Sequence, residues 1–93
     1  MDVEHDARQQ KFYSIHKDTE YSLEYNVVGP GVWEFHCPYT PDSRKDMEIQ
    51  DFLIEYALYF IRRNKIQLQN EGNCEYFNNF SQRRKDIYDF LVR

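Results

Sequence analysis

Cysteine is scarce in this chain: Cys37 and Cys74 are the only two, and their separation offers no CxxC pair. That excludes a zinc ribbon and a disulfide framework as readings and leaves reduced thiols as the expectation. Glycine is nearly as sparse, with Gly29, Gly31 and Gly72 alone. The three histidines, His5, His16 and His36, are scattered, with no close pair at metal-ligand spacing. A G-x-S-x-G nucleophile elbow is also missing. No stretch approaches the roughly 20 apolar residues of a membrane span, and the opening MDVEHDARQQ lacks the charged-then-apolar layout of a signal peptide. A cytoplasmic protein with no membrane association is therefore expected. An excess of positive charge is lacking too: 12 Lys and Arg stand against 16 Asp and Glu, a net charge of −4, which argues against nucleic acid as a general partner.

What the chain does have is apolar and aromatic residues, 41% and 17% of its 93 positions. That is the composition of a packed single domain rather than a disordered tail. Residues 1–10 read as a flexible N-terminus and residues 11–93 as the domain. KFYSIH reads as a short strand, and Tyr21, Leu23, Tyr25 and Val27 alternate with polar residues as in a half-buried strand. Gly29-Pro30-Gly31 turns that strand into Val32–Cys37, which gives an antiparallel meander.

From Met47 to about Asn64 the period changes. Ile49, Phe52, Leu53, Tyr56, Ala57 and Phe60 form one apolar stripe at helical spacing, with acids early and bases late as the helix dipole favours. Ile66-Gln67-Leu68-Gln69 alternates again as a further strand, and residues 70–73 form a turn. Residues 74–93 read as one or two short helices whose apolar set is Tyr76, Phe77, Phe80, Ile87, Phe90 and Leu91. The order βββαβα(α) predicts an α+β sheet with helices packed on it.

The strand-to-helix junction TPDSRKDMEIQDFL, residues 40–53, is the first candidate site, because a helix start offers unpaired N–H groups to a phosphate. It contains no glycine, and Asp42, Asp46, Glu48 and Asp51 outnumber Arg44 and Lys45. Ser43 and Asp46 form an S-x-x-D pattern, a variant of the capping box, so the protein's own groups are expected to satisfy the helix start. Cys74 reads either as a nucleophile near a helix start or as a small buried residue. His36 reads either as a general base or as a histidine facing the strand edge, on the same side as Val32 and Glu34. Arg62-Arg63 and Arg83-Arg84-Lys85 read as solvated charge at helix ends.

HCPYTPDSRKDMEIQDFL and CEYFNNFSQRRKDIYDFL together resemble the short single-domain GNAT-like N-acetyltransferases of the YjdJ type. In that family a histidine-threonine pair ends a strand, a proline follows, and an RGxGxG or RGxGxA loop opens a long helix; a later cysteine is followed by aromatic and basic residues. His36, Pro41, Arg44 and Cys74 stand at family positions, and Cys37 stands where the family has threonine. The resemblance implies a GNAT-like fold: a meander, a long helix, a further strand and C-terminal helices. It implies acetyl-CoA or CoA as cofactor, with Arg44, Lys45, Asp46, Met47 and Ile49 in the pyrophosphate loop and Cys74 or His36 assisting the chemistry. Lys45 stands where the family has glycine, and Met47 and Ile49 occupy its two small positions. The expectation is thus a degenerate acetyl-CoA site with a binding or interaction role, and the alternative is an active small N-acyltransferase. A homodimer or a protein partner is the third expectation, from aromatic richness.

Overall fold

Alternation and turn chemistry set the first half of the molecule. In the computed structural model, which describes residues 2–37, 41–69 and 75–92, the strands are β1 (Glu4–Asp6), β2 (Lys11–His16), β3 (Thr19–Gly29), β4 (Val32–His36) and β5 (Gln67–Leu68). The helices are α1 (Arg44–Arg63), α2 (Glu75–Arg83) and α3 (Lys85–Val92). The sheet runs in the order β1-β2-β3-β4-β5, antiparallel from β1 to β4, with β5 parallel to β4. The fold is therefore α+β, a five-stranded mixed sheet with three helices, and the expected meander is β2-β3-β4.

Both turns of the β2-β3-β4 meander use left-handed backbone, as does Gln10 (φ 54°) between β1 and β2. Lys17 (φ 49°) and Asp18 (φ 66°) link β2 to β3 without a glycine, and Gly31 (φ 67°) completes the turn into β4, where glycine avoids the Cβ penalty. A register shift between Val27 and Gly29 interrupts the β3–β4 pairing. Tyr21, Leu23 and Tyr25 are buried as alternation predicts, but Val27, beside that irregularity, is exposed. Glu4–Asp6 form an edge strand with His5 opposite Phe12.

Ser43 caps α1, so the helix begins three residues before Met47. Its core-facing residues are Ile49, Leu53, Ile54, Ala57, Leu58 and Ile61. Phe52 and Tyr56, expected in that stripe, are instead 42% and 41% exposed, because the sheet contacts the helix along a line centred on Leu53 and Ala57. Gln50 is fully buried and donates from Nε2 to the Ser22 carbonyl at 3.1 Å. That bond satisfies an amide that would otherwise be costly to bury. At the helix end Lys65 turns left-handed (φ 56°), and Ile66 N–H donates to the Ile61 carbonyl at 2.8 Å. The chain then enters β5, where Gln67 and Gln69 N–H groups donate to the Gly31 and Trp33 carbonyls at 2.8 and 2.7 Å. Tyr76, Phe77 and Phe80 of α2 and Leu91 of α3 close the core against Phe12, Leu23, Tyr25 and Phe35. Phe90, expected inside, is 65% exposed.

Candidate functional site

The junction between β4 and α1 is satisfied largely from within. Ser43 has extended backbone (φ −118°, ψ 157°); its Oγ accepts the Asp46 N–H at 3.1 Å and its carbonyl accepts the Met47 N–H at 2.9 Å. Only half of the expected capping box forms. The Asp46 carboxylate does not return to Ser43 but accepts from the Tyr21 hydroxyl of β3 at 2.8 Å. That hydrogen bond, together with burial, raises the Tyr21 pKa above its ordinary 10.0. The capping bond fixes the helix start, and the Tyr21 bond ties its first turn to the sheet.

The residues predicted to contact a cofactor divide accordingly. Arg44 and Lys45 are exposed and make no ion pair among the described residues. Their N–H groups are the first-turn donors that Ser43 leaves over. Asp46 is engaged on both its N–H and its carboxylate. Met47 is half-buried against the core, and its carbonyl accepts from the Tyr76 hydroxyl at 3.2 Å. Ile49 is a core residue, 6% exposed, whose side chain is packed away from solvent. His36 is exposed at the end of β4. Cys37 is disulfide-bonded, contrary to the expectation of reduced thiols. Cys74, the sequence's other cysteine, lies outside the described residues.

A second polar constellation, unforeseen from sequence, joins α1 to α2. The Tyr76 hydroxyl donates to Asp51 Oδ1 at 2.6 Å, and Arg83 donates from Nη1 to Oδ2 and from Nη2 to Oδ1, both at 3.1 Å. The guanidinium also lies 5.3 Å from the centre of the Tyr76 ring. Burial first, and then the bond to Asp51, push the Tyr76 pKa far above its ordinary value. Asp51 likewise raises the Arg83 pKa. The basic cluster is solvated at the surface and also paired: Arg84 Nη2 lies 3.3 Å from Glu55, and Lys85 Nζ lies 4.0 Å from Asp89. Arg62 donates to the Phe90 carbonyl and covers its ring. These engagements leave few cations on this side for a phosphate backbone.

His5, which has no evident context in the sequence, sits in an aromatic nest. Its ring stacks on Phe12 with centroids 4.5 Å apart and meets Phe60 edge-on at 4.6 Å. Its Nε2 lies 2.7 Å from the Tyr25 hydroxyl, and Tyr25 itself stacks on Trp33 at 3.8 Å and 4°. Desolvation lowers the His5 pKa, and the neighbouring Asp6 partly offsets this. The nest anchors the edge strand β1 to the core.

Two clefts among the described residues lie elsewhere on the surface. One of about 510 Å3 is lined by Glu55, Tyr59, Asp86, Ile87, Phe90 and Leu91, between α1 and α3. Another, of about 480 Å3, runs beside Ser14 and His16 of β2. Neither includes a residue of the predicted cofactor loop. Among the described residues no cluster of His, Cys, Asp and Glu is arranged to hold a metal, and no helix is long and apolar enough to cross a membrane. The chain matches no family model, no curated protein and no solved structure.

Proposed function

We propose that the chain is a GNAT-like domain of the YjdJ type with a degenerate acetyl-CoA site, working as a binding or interaction module rather than by acetyl transfer. The connection β4–α1–β5 supports the fold: after an antiparallel meander, a long helix leads to a strand parallel to the last one. The observation that carries the functional side is the state of Asp46. Its N–H is taken by Ser43 and its carboxylate is held by Tyr21. A pyrophosphate at this helix start would displace a capping bond and meet a fixed negative charge. Met47 and Ile49, packed against or within the core, also cannot swing aside cheaply. The residues at this helix start do not fit the cofactor.

Calorimetric titration with CoA and acetyl-CoA tests the proposal. No heat of binding at micromolar ligand is expected. Micromolar binding that Arg44→Ala or Lys45→Ala abolishes would show a working site and overturn the degeneracy.

The alternative, an active small acetyl-CoA-dependent N-acyltransferase, draws support from one feature. Among the described residues β5 pairs with Val32 and Trp33, and Glu34–His36 continue β4 past that register, where the resemblance would lay the pantetheine arm. In that reading Arg44 and Lys45 hold the pyrophosphate, and His36 or Cys74 assists transfer to an amine. Acetyl trapping on Cys74 would favour it, and unchanged turnover in Cys74→Ala would exclude Cys74 as an essential nucleophile. The Cys37 disulfide weighs against the cytoplasmic setting of either reading, because cytosols generally keep thiols reduced.

A further inference from the structure

Helix α1 carries two apolar stripes, and the core explains only one. The second comprises Phe52, Tyr56 and Tyr59, which are 42%, 41% and 60% exposed. At 100° per residue it is centred roughly 150° from the core-facing residues Ile49, Leu53, Ile54, Ala57, Leu58 and Ile61. Glu48, four residues before Phe52, and Arg63, four residues after Tyr59, flank this stripe on the same face, both exposed. Neither Glu48 nor Arg63 forms an ion pair among the described residues. Phe90 of α3, 65% exposed, extends the surface across the cleft it shares with Tyr59.

We propose that this face is where a second copy of the chain docks, with the two α1 helices antiparallel about a two-fold axis that passes between Glu55 and Tyr56. This inference does not depend on the GNAT resemblance. Its first support is charge complementarity. About that axis Phe52 faces the second copy's Tyr59, and Glu48 faces the second copy's Arg63. Each contact occurs twice, as a self-complementary two-fold interface requires. A parallel pairing would instead set Glu48 against Glu48 and Arg63 against Arg63. The alternation of four and three is also the spacing that keeps two helices in register at a shallow crossing angle.

The second support is area. The exposed parts of Phe52, Tyr56, Tyr59 and Phe90 amount to about two whole aromatic side chains, or roughly 400 Å2 per copy. Two copies supply roughly 800 Å2 from rings alone, about half of a standard interface of roughly 1,600 Å2. Exposed Glu48 and Arg63 and half-buried Glu55 and Ile87 border the rings and add polar and apolar rim to this area. An interface of this size and polarity forms a reversible dimer that dilution dissociates.

Sedimentation velocity from about 1 to about 500 µM tests this, because mass action makes the dimer fraction rise with concentration. Glu48→Arg and Arg63→Glu are each expected to weaken the dimer roughly tenfold, since symmetry repeats each contact twice. An equimolar mixture of the two variants is expected to recover wild-type affinity as a heterodimer, because both cross-copy pairs then have opposite charges. Tyr59→Glu, with its circular dichroism unchanged, is expected to be monomeric. A wild-type monomer at every concentration would overturn the proposal. So would dimers unaffected by Tyr59→Glu, or charge variants that fail to recover on mixing.

Discussion

Tyr76 and Asp51, 25 residues apart in sequence, are joined by a 2.6 Å hydrogen bond that Arg83 completes from the other side of the carboxylate. This contact ties α2 to α1 through side chains at both ends of α2. Tyr76→Phe keeps the ring under the Arg83 guanidinium and removes the hydroxyl. A lost hydrogen bond to a charged group costs about 1.5–3 kcal/mol, and denaturant unfolding should show a loss toward the lower figure because Arg83 still satisfies Asp51. The alkaline side adds a second readout. The folded Tyr76 pKa lies above the unfolded value near 10, so its stabilisation is complete below that value and is lost as pH rises beyond it. Tyr76→Phe should therefore flatten, without abolishing, the alkaline loss of stability, since Tyr21 and Tyr25 are shifted upward as well.

Ile49 separates two accounts of the same substitution. If it merely blocked a loop, trimming it would leave stability unchanged. As a residue packed among Leu53, Tyr76 and their neighbours in the core cluster, it should cost about 2–4 kcal/mol on change to alanine. Ser43→Ala should cost about 1 kcal/mol through the lost cap on Asp46 N–H. Chemical denaturation of both variants checks the two figures together, and a neutral Ile49→Ala would return that side chain to the loop.

How much of this was legible beforehand follows from the range of each interaction. The meander was readable because alternation and the Gly-Pro-Gly turn are local signals. The cap at Ser43 was readable from a four-residue pattern, but the turn of Asp46 toward Tyr21 depends on a strand 25 residues away. The Asp51–Arg83 bridge spans 32 residues and leaves no periodic trace. The edge strand at Glu4–Asp6 is three residues long and charged, so only the aromatic nest around His5 reveals it. On α1, aromatic residues stand on both faces at spacings of three and four. One sequence pattern therefore merged a core stripe with a surface stripe, and Phe52 and Tyr56 were assigned to the wrong one.

The bridge at Cys37 makes a covalent prediction. It should stabilise the fold by about 2–4 kcal/mol, mainly by restricting the unfolded chain. Cys37→Ser, or reduction of the wild type, should lower the melting temperature, with roughly 4–8 °C lost for each kcal/mol at this size. A thiol assay of the unreduced, denatured wild type separates structure from catalysis at the second cysteine. An intrachain bridge leaves a two-cysteine chain with no reactive thiol, whereas a nucleophilic Cys74 requires one.

His5 gives the acid side its own test. Desolvation in the nest places its folded pKa below the ordinary 6.5, so an unfolded chain takes up the proton first. Its stabilising contribution is complete above about pH 6.5 and declines as pH falls through that value toward the folded pKa. Protonation also prevents Nε2 from accepting a hydrogen bond from the Tyr25 hydroxyl 2.7 Å away. β1 is held mainly by this nest and by its pairing with β2, so it should loosen first. Protection of the amides at residues 4–6, taken as exchange relative to the base-catalysed intrinsic rate that itself slows as pH falls, should drop between pH 7 and roughly pH 5. His5→Phe retains a ring against Phe12 and Phe60 and removes the titration. Exchange in that variant should follow the intrinsic rate alone, and an acid loosening that survives the substitution would assign the effect to Asp6 or another carboxylate near β1.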